Sequence, residues 1–135
     1  MKTIWMRAKS VLAVAAGVSA MTLLAFALEI PVRAGAVRVW GISKEALDVN
    51  IWWMLSQTLY TIPALVLGGY VAAALAPKRP IAHVVAMAVL QELLIVVLIF
   101  NPPHPTPAWM WGLTLVIAPA AIIMGGRLYG KRRPR

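Results

Sequence analysis

An all-α integral membrane four-helix bundle with both termini on the inner face (N-in, C-in) is what this sequence predicts, and three observations predict it. The 135 residues are 61% hydrophobic and only 13% charged, with mean hydropathy +0.81, more apolar surface than a soluble domain of this length can cover. Four apolar stretches, at about residues 11–30, 51–76, 81–100 and 108–126, match the roughly 20 residues a helix needs to cross hydrocarbon. They are apolar on every side and lack the alternation of a membrane β-strand, so internally bonded helices are the expected solution. Little chain is left outside the spans, and residues 1–135 read as a single transmembrane domain.

The third observation is the placement of charge. Lys2, Arg7 and Lys9 precede the first span, Lys78 and Arg79 sit in the turn between the second and third, and Arg127, Lys131, Arg132, Arg133 and Arg135 follow the fourth. Four crossings put all of these on one face. The opposite face carries Arg33, Arg38 and Lys44, offset by Glu29, Glu45 and Asp48, and its second loop, "NPPHPTP", has no formal charge. The positive-inside rule makes the basic face cytoplasmic, in a bacterial-type inner membrane. The net charge of +9 therefore reads as a topology signal and a contact for anionic lipid at the basic tails. Nucleic-acid binding is not expected, because no recognition element accompanies the tail.

In span one the start "MKTIWMRAKSVLAVAAGVSAMTLLAFA" has the basic and apolar regions of a signal peptide, with Ala25 and Ala27 as small residues. The apolar run continues to Ile30, beyond a usual signal core, so an uncleaved first span is expected. "IPVRAG" is expected to stop it, leaving residues 32–40 along the outer interface. "GISKEALDVNIWW" then reads as the start of the second helix, with Ser43 as N-cap and Glu45 and Asp48 in the first turns, where the helix dipole favours acids. Trp52 and Trp53, with Trp109 and Trp111 on span four, are expected to form an outer aromatic belt.

Span two carries Ala64, Gly68, Ala72 and Ala76 four apart, with Gly69 and Ala73 beside them. Span one offers Ala13 and Gly17, and span four Ala121 and Gly125. Small residues at this spacing let helices approach closely in lipid, and the same faces suit a homodimer or larger membrane complex as well as the internal bundle. Pro63 and Pro119 each remove a backbone hydrogen bond and are expected to bend spans two and four. Where span two turns into span three, Gly68, Gly69, Tyr70, Val71, Ala72 and Ala73 lead through Lys78, Arg79 and Pro80 to His83, and a late "PAAIIMGG" follows. This resembles a pattern in uncharacterised small four-span bacterial membrane proteins. The resemblance implies the topology and carries no activity.

Span three, "HVVAMAVLQELLIVVLIF", holds Gln91 and Glu92 near its middle. At about 1.5 Å per residue Glu92 lies roughly 13 Å below the outer boundary, and Thr61, Thr22 and Thr114 fall at roughly 12–13 Å on the other spans. Gln57 is one turn above Thr61. A polar layer of Glu92, Gln91, Gln57, Thr61, Thr22 and Thr114 facing the bundle interior is thus expected. An intramembrane acid costs about 3 kcal/mol on insertion scales. With no basic residue at its depth, Glu92 is expected as a neutral carboxylic acid donating a hydrogen bond to Thr61 or Gln57.

Two functions fit. In one, the acid joins helices or meets a partner subunit, and the protein has a non-catalytic structural or interaction role. In the other, Glu92 couples protons or cations in a small transporter or channel. Small multidrug-type exporters resemble this architecture, although their acid lies in the first span and this one in the third. No enzyme is expected, and no metal or cofactor. There is no cysteine, Asp48 is the only Asp, and His83 and His104 stand at opposite faces. The Gly-Gly pairs lack the Lys of a phosphate-binding loop.

Overall fold

The computed structural model describes residues 2–102 and 105–132, with side chains from residue 4 onward. His104, Arg133 and Arg135 lie outside the described residues. Among those described there are five helices and no strand: α1 (Lys2–Trp40), α2 (Lys44–Asp48), α3 (Ile51–Leu75), α4 (Pro80–Phe100) and α5 (Ala108–Arg132). The four long ones are apolar and long enough to cross a membrane.

Three expected boundaries are corrected. Helix α1 does not stop at "IPVRAG" but runs through Pro31 to Trp40. A proline within a helix removes one hydrogen bond, and the apolar residues around Pro31 include no capping residue to exploit the break. The helix ends where a left-handed residue becomes easy, at Gly41 with φ +63°, whose N–H bonds the Val37 carbonyl at 3.0 Å. Residues 32–40 are therefore the last turns of a 39-residue rod, about 58 Å long, that exceeds the roughly 30 Å of hydrocarbon.

The second helix begins twice. Ser43 Oγ accepts from Ala46 N–H at 3.2 Å and starts α2, which is anchored by fully buried Leu47 and lasts five residues. Asn50 then caps afresh, its Oδ1 accepting from the amides of Trp52 at 2.9 Å and Trp53 at 3.1 Å. Finally, α5 stays helical through the basic tail to Arg132 instead of ending at 126. Pro63 and Pro119 both lie inside continuous helices.

Helix α3 is the centre of the bundle. One face meets α1: a Cβ built on Gly17 would stand 2.8 Å from both Ala72 Cβ and the Gly68 carbonyl oxygen, and one on Gly68 2.9 Å from Met21 Cβ. The other face meets α5, where Gly69 lies against the Ile122 carbonyl and Gly125 against the Val66 carbonyl. Tyr70 and Tyr129 close this seam edge to face at 5.5 Å. Helix α4 packs mainly on α5 through Val84 beside Gly126, and its Met87 reaches between Gly17 and Gly68. The small residues Ala64, Gly68, Ala72, Ala121 and Gly125 are all buried. Close packing of this kind holds helices together where lipid offers no hydrophobic driving force.

The exterior is apolar all round, with Leu23, Ile30, Phe100 and Val116 at least 70% exposed. The aromatic belt is only partly outside. Trp52 and Trp109 are exposed, but Trp53 is 1% exposed and its Nε1 is buried without a hydrogen-bond partner. Neighbouring residues on a helix point about 100° apart, so Trp52 and Trp53 cannot both face outward.

Candidate functional site

A cavity of about 240 Å³ opens between α1, α3 and α5, toward the end of the bundle that carries α2. Glu29, Gln57, Thr58, Tyr60, Thr61 and Thr114 supply its polar lining, and Met110 and Trp111 part of its apolar wall. Above it a single guanidinium serves two acids. Arg33 Nη2 donates to Asp48 Oδ1 at 2.7 Å, and its Nη1 lies 3.7 Å from Glu29 Oε1, one helical turn back. The same guanidinium stands 5.8 Å from the Trp53 ring centroid, a cation–π contact, and Trp53 in turn faces Tyr60 at 6.3 Å.

The threonine hydroxyls spend their protons within their own helices. Thr61 Oγ1 donates to the Gln57 carbonyl at 2.6 Å, Thr114 Oγ1 to the Met110 carbonyl at 2.8 Å, and Thr58 Oγ1 to the Met54 carbonyl at 3.2 Å. A hydroxyl used this way keeps acceptor lone pairs. With the Glu29 carboxylate these hydroxyls give the wall several acceptors, beside the Gln57 amide and Tyr60 hydroxyl, which can also donate, and Glu29, Arg33 and Asp48 together carry −1. Such a surface suits a cation or a hydrogen-bond donor. No cluster of metal-ligating side chains occurs among the described residues.

This arrangement revises the expected polar layer. Gln57, Thr61 and Thr114 do line one cavity. Thr22 does not join them: it is exposed, because its neighbour Met21 holds the inward position. Gln91 and Glu92, both half-buried on α4, are not among the residues lining the cavity. The bond from Glu92 to Thr61 or Gln57 is absent, and Glu92 Oε1 is buried with no hydrogen-bond partner. Helical rise fixed the depth of these residues, but their azimuth around each axis decided which met.

Comparison with protein-family models, curated proteins and solved structures finds no match to this chain.

The acid that does line the cavity, Glu29, continues a row of α1 residues spaced four apart. Ala13, Gly17 and Met21 are buried, Ala25 and Glu29 line the cavity, and Arg33 stands one turn beyond Glu29. These six recur every four residues, a row that winds about 40° around α1 at each step and passes from packing to polar chemistry where it leaves the tight part of the bundle.

Proposed function

We propose that this is a small polytopic protein of a bacterial-type inner membrane, with both termini cytoplasmic and a non-catalytic role in a membrane assembly. The observation that carries the reading is the Glu92 carboxyl. It stands on α4 among exposed Val89, Leu90, Leu93 and Leu94, apart from the polar cavity and without a hydrogen bond. Oε1 is turned into the chain and closed to a partner, but the residue as a whole is half-exposed. A polar group on a partner helix that met its open side would relieve the cost of a carboxyl unpaired in lipid. The basic residues at the start of α1, in the α3–α4 turn and along the end of α5 support the orientation. The resemblance to small four-span bacterial proteins belongs to the same reading.

The test is self-association in lipid vesicles, followed by energy transfer between labelled copies. An interhelical hydrogen bond of about 0.5–2 kcal/mol predicts a loss of association of about 2- to 30-fold in Glu92→Leu. Glu92→Gln keeps a donor and should associate nearly as the wild type does. Equal association of all three would discard Glu92 as an assembly contact.

A second reading, a proton- or cation-coupled carrier or channel, is favoured by the acceptors that line the cavity. There the coupling acid is Glu29 rather than Glu92. Ion flux into vesicles that survives Glu92→Gln but not Glu29→Gln would support it over assembly.

A further inference from the structure

The face that separates α1 from α4 has a different character from the rest of the exterior. Met87 of α4 reaches α1 at Gly17, but toward the start of both helices they part and leave an open groove. Its inner half, about 730 Å³, runs between Val11, Val14 and Val18 of α1 and Ala82, Ala86 and Leu90 of α4, and is almost wholly apolar. It continues, sharing Ser10, Val11, Ala82 and His83, into an end of about 740 Å³ walled by Arg7, Lys78 and Arg79.

Charge at that mouth is of one sign. No acid lines either half of the groove, and among the described residues Arg7, Lys78 and Arg79 form no ion pair. Of the four acids, Glu29, Glu45 and Asp48 stand at the other end of the bundle and Glu92 lies further along α4. Arg79 adds a second sign. It holds a left-handed backbone, φ +49° and ψ +63°, in the turn before α4, which glycine would adopt without strain. Its side chain makes no cap to that helix.

We infer that the α1–α4 groove holds an anionic phospholipid, its acyl chains along Val14, Val18 and Ala86 and its phosphate met by Arg7, Lys78 and Arg79. Charge complementarity selects this occupant. A zwitterionic lipid leaves the three cations uncompensated, and a second copy of the chain would bring the same positive charges against them. The start of α4 adds its dipole to the attraction for phosphate. The inference is independent of any role for Glu92.

The experiment is native mass spectrometry of the whole chain released from mixed vesicles of phosphatidylglycerol and phosphatidylcholine. The expected result is one phosphatidylglycerol retained in preference to phosphatidylcholine. Each of Arg7→Gln and Lys78→Gln should lower that preference about fivefold, the weight of roughly 1 kcal/mol per basic residue near anionic lipid. Arg79→Gly should lower it as much while leaving the thermal midpoint unchanged or raised, since the backbone is relieved. Ala86→Trp fills the apolar half and leaves the cations in place. Loss of the retained lipid in Ala86→Trp supports the groove, and retention there assigns the lipid to a diffuse surface film and overturns it. Equal retention of the two lipids, or a dimer in place of lipid, also overturns it.

Discussion

Arg33 holds Asp48 at 2.7 Å across fifteen residues of chain, and this one ion pair ties the end of α1 to α2. Because Arg33 also faces Glu29, its removal leaves two acids without their shared cation. Asp48→Asn removes one charge and keeps an acceptor. Arg33→Leu is therefore expected to destabilise more than Asp48→Asn. Both side chains are partly exposed, so solvent screening limits the Arg33–Asp48 coupling to about 1 kcal/mol. A double-mutant cycle on thermal unfolding in detergent measures it, and strictly additive single variants would show that the pair contributes nothing.

Glu45 gives α2 a pH dependence of defined sign. Its carboxylate is held below the usual glutamate range, first by its own backbone N–H and then by the Ser43 hydroxyl, which also accepts from Ala46. A group whose folded value is depressed stabilises the fold above the ordinary value, and that contribution is lost as pH falls through the folded one. Amide protection of Ala46 and Leu47 should accordingly decline in acid, below the ordinary glutamate range. In Glu45→Gln the same amides should show a flatter profile. A decline of equal size in the variant would assign the effect to another group.

What could be seen in the sequence was set by periodicity and length. Apolar runs located all four spanning helices, and the spacing of Ala64, Gly68 and Ala72 located the face of α3 that buries against its neighbours. Turn chemistry was harder. Pro31 looked like a stop because proline costs a hydrogen bond, yet the terminator was Gly41, and Asn50 was a second cap hidden behind Ser43. The site was half legible. Thr61 and Thr114 were placed by depth and Gln57 by standing one turn above Thr61, but Glu92 and Thr22 share the threonines' depth and do not line the cavity, because depth along a helix carries no information about rotation between helices. Glu29 was set aside as an end-of-span charge, and its four-residue spacing from Gly17 did not place it inward, because a four-residue step drifts about 40° around the helix each time.

The α3–α5 seam offers the sharpest test of packing. Gly69 and Gly125 lie directly against backbone carbonyls, of Ile122 and Val66, and a carbonyl cannot rotate aside as a side chain can. A methyl group at either position forces the two helices apart and strips contact from Ile122 and Ala121, both buried there. Gly126 differs, because its neighbour is the Val84 side chain rather than backbone. Gly112, on the same helix, has nothing within 4 Å of an added Cβ. The expected order of stability is thus Gly112→Ala near or above wild type, Gly126→Ala lower, and Gly69→Ala and Gly125→Ala lowest. Overpacking of a close interface costs about 1–3 kcal/mol, and contact with an unyielding backbone places these two at the upper end. Thermal midpoints of the four variants in detergent decide it. If Gly69→Ala and Gly112→Ala melted together, α3 and α5 would not approach as closely as the structure has them.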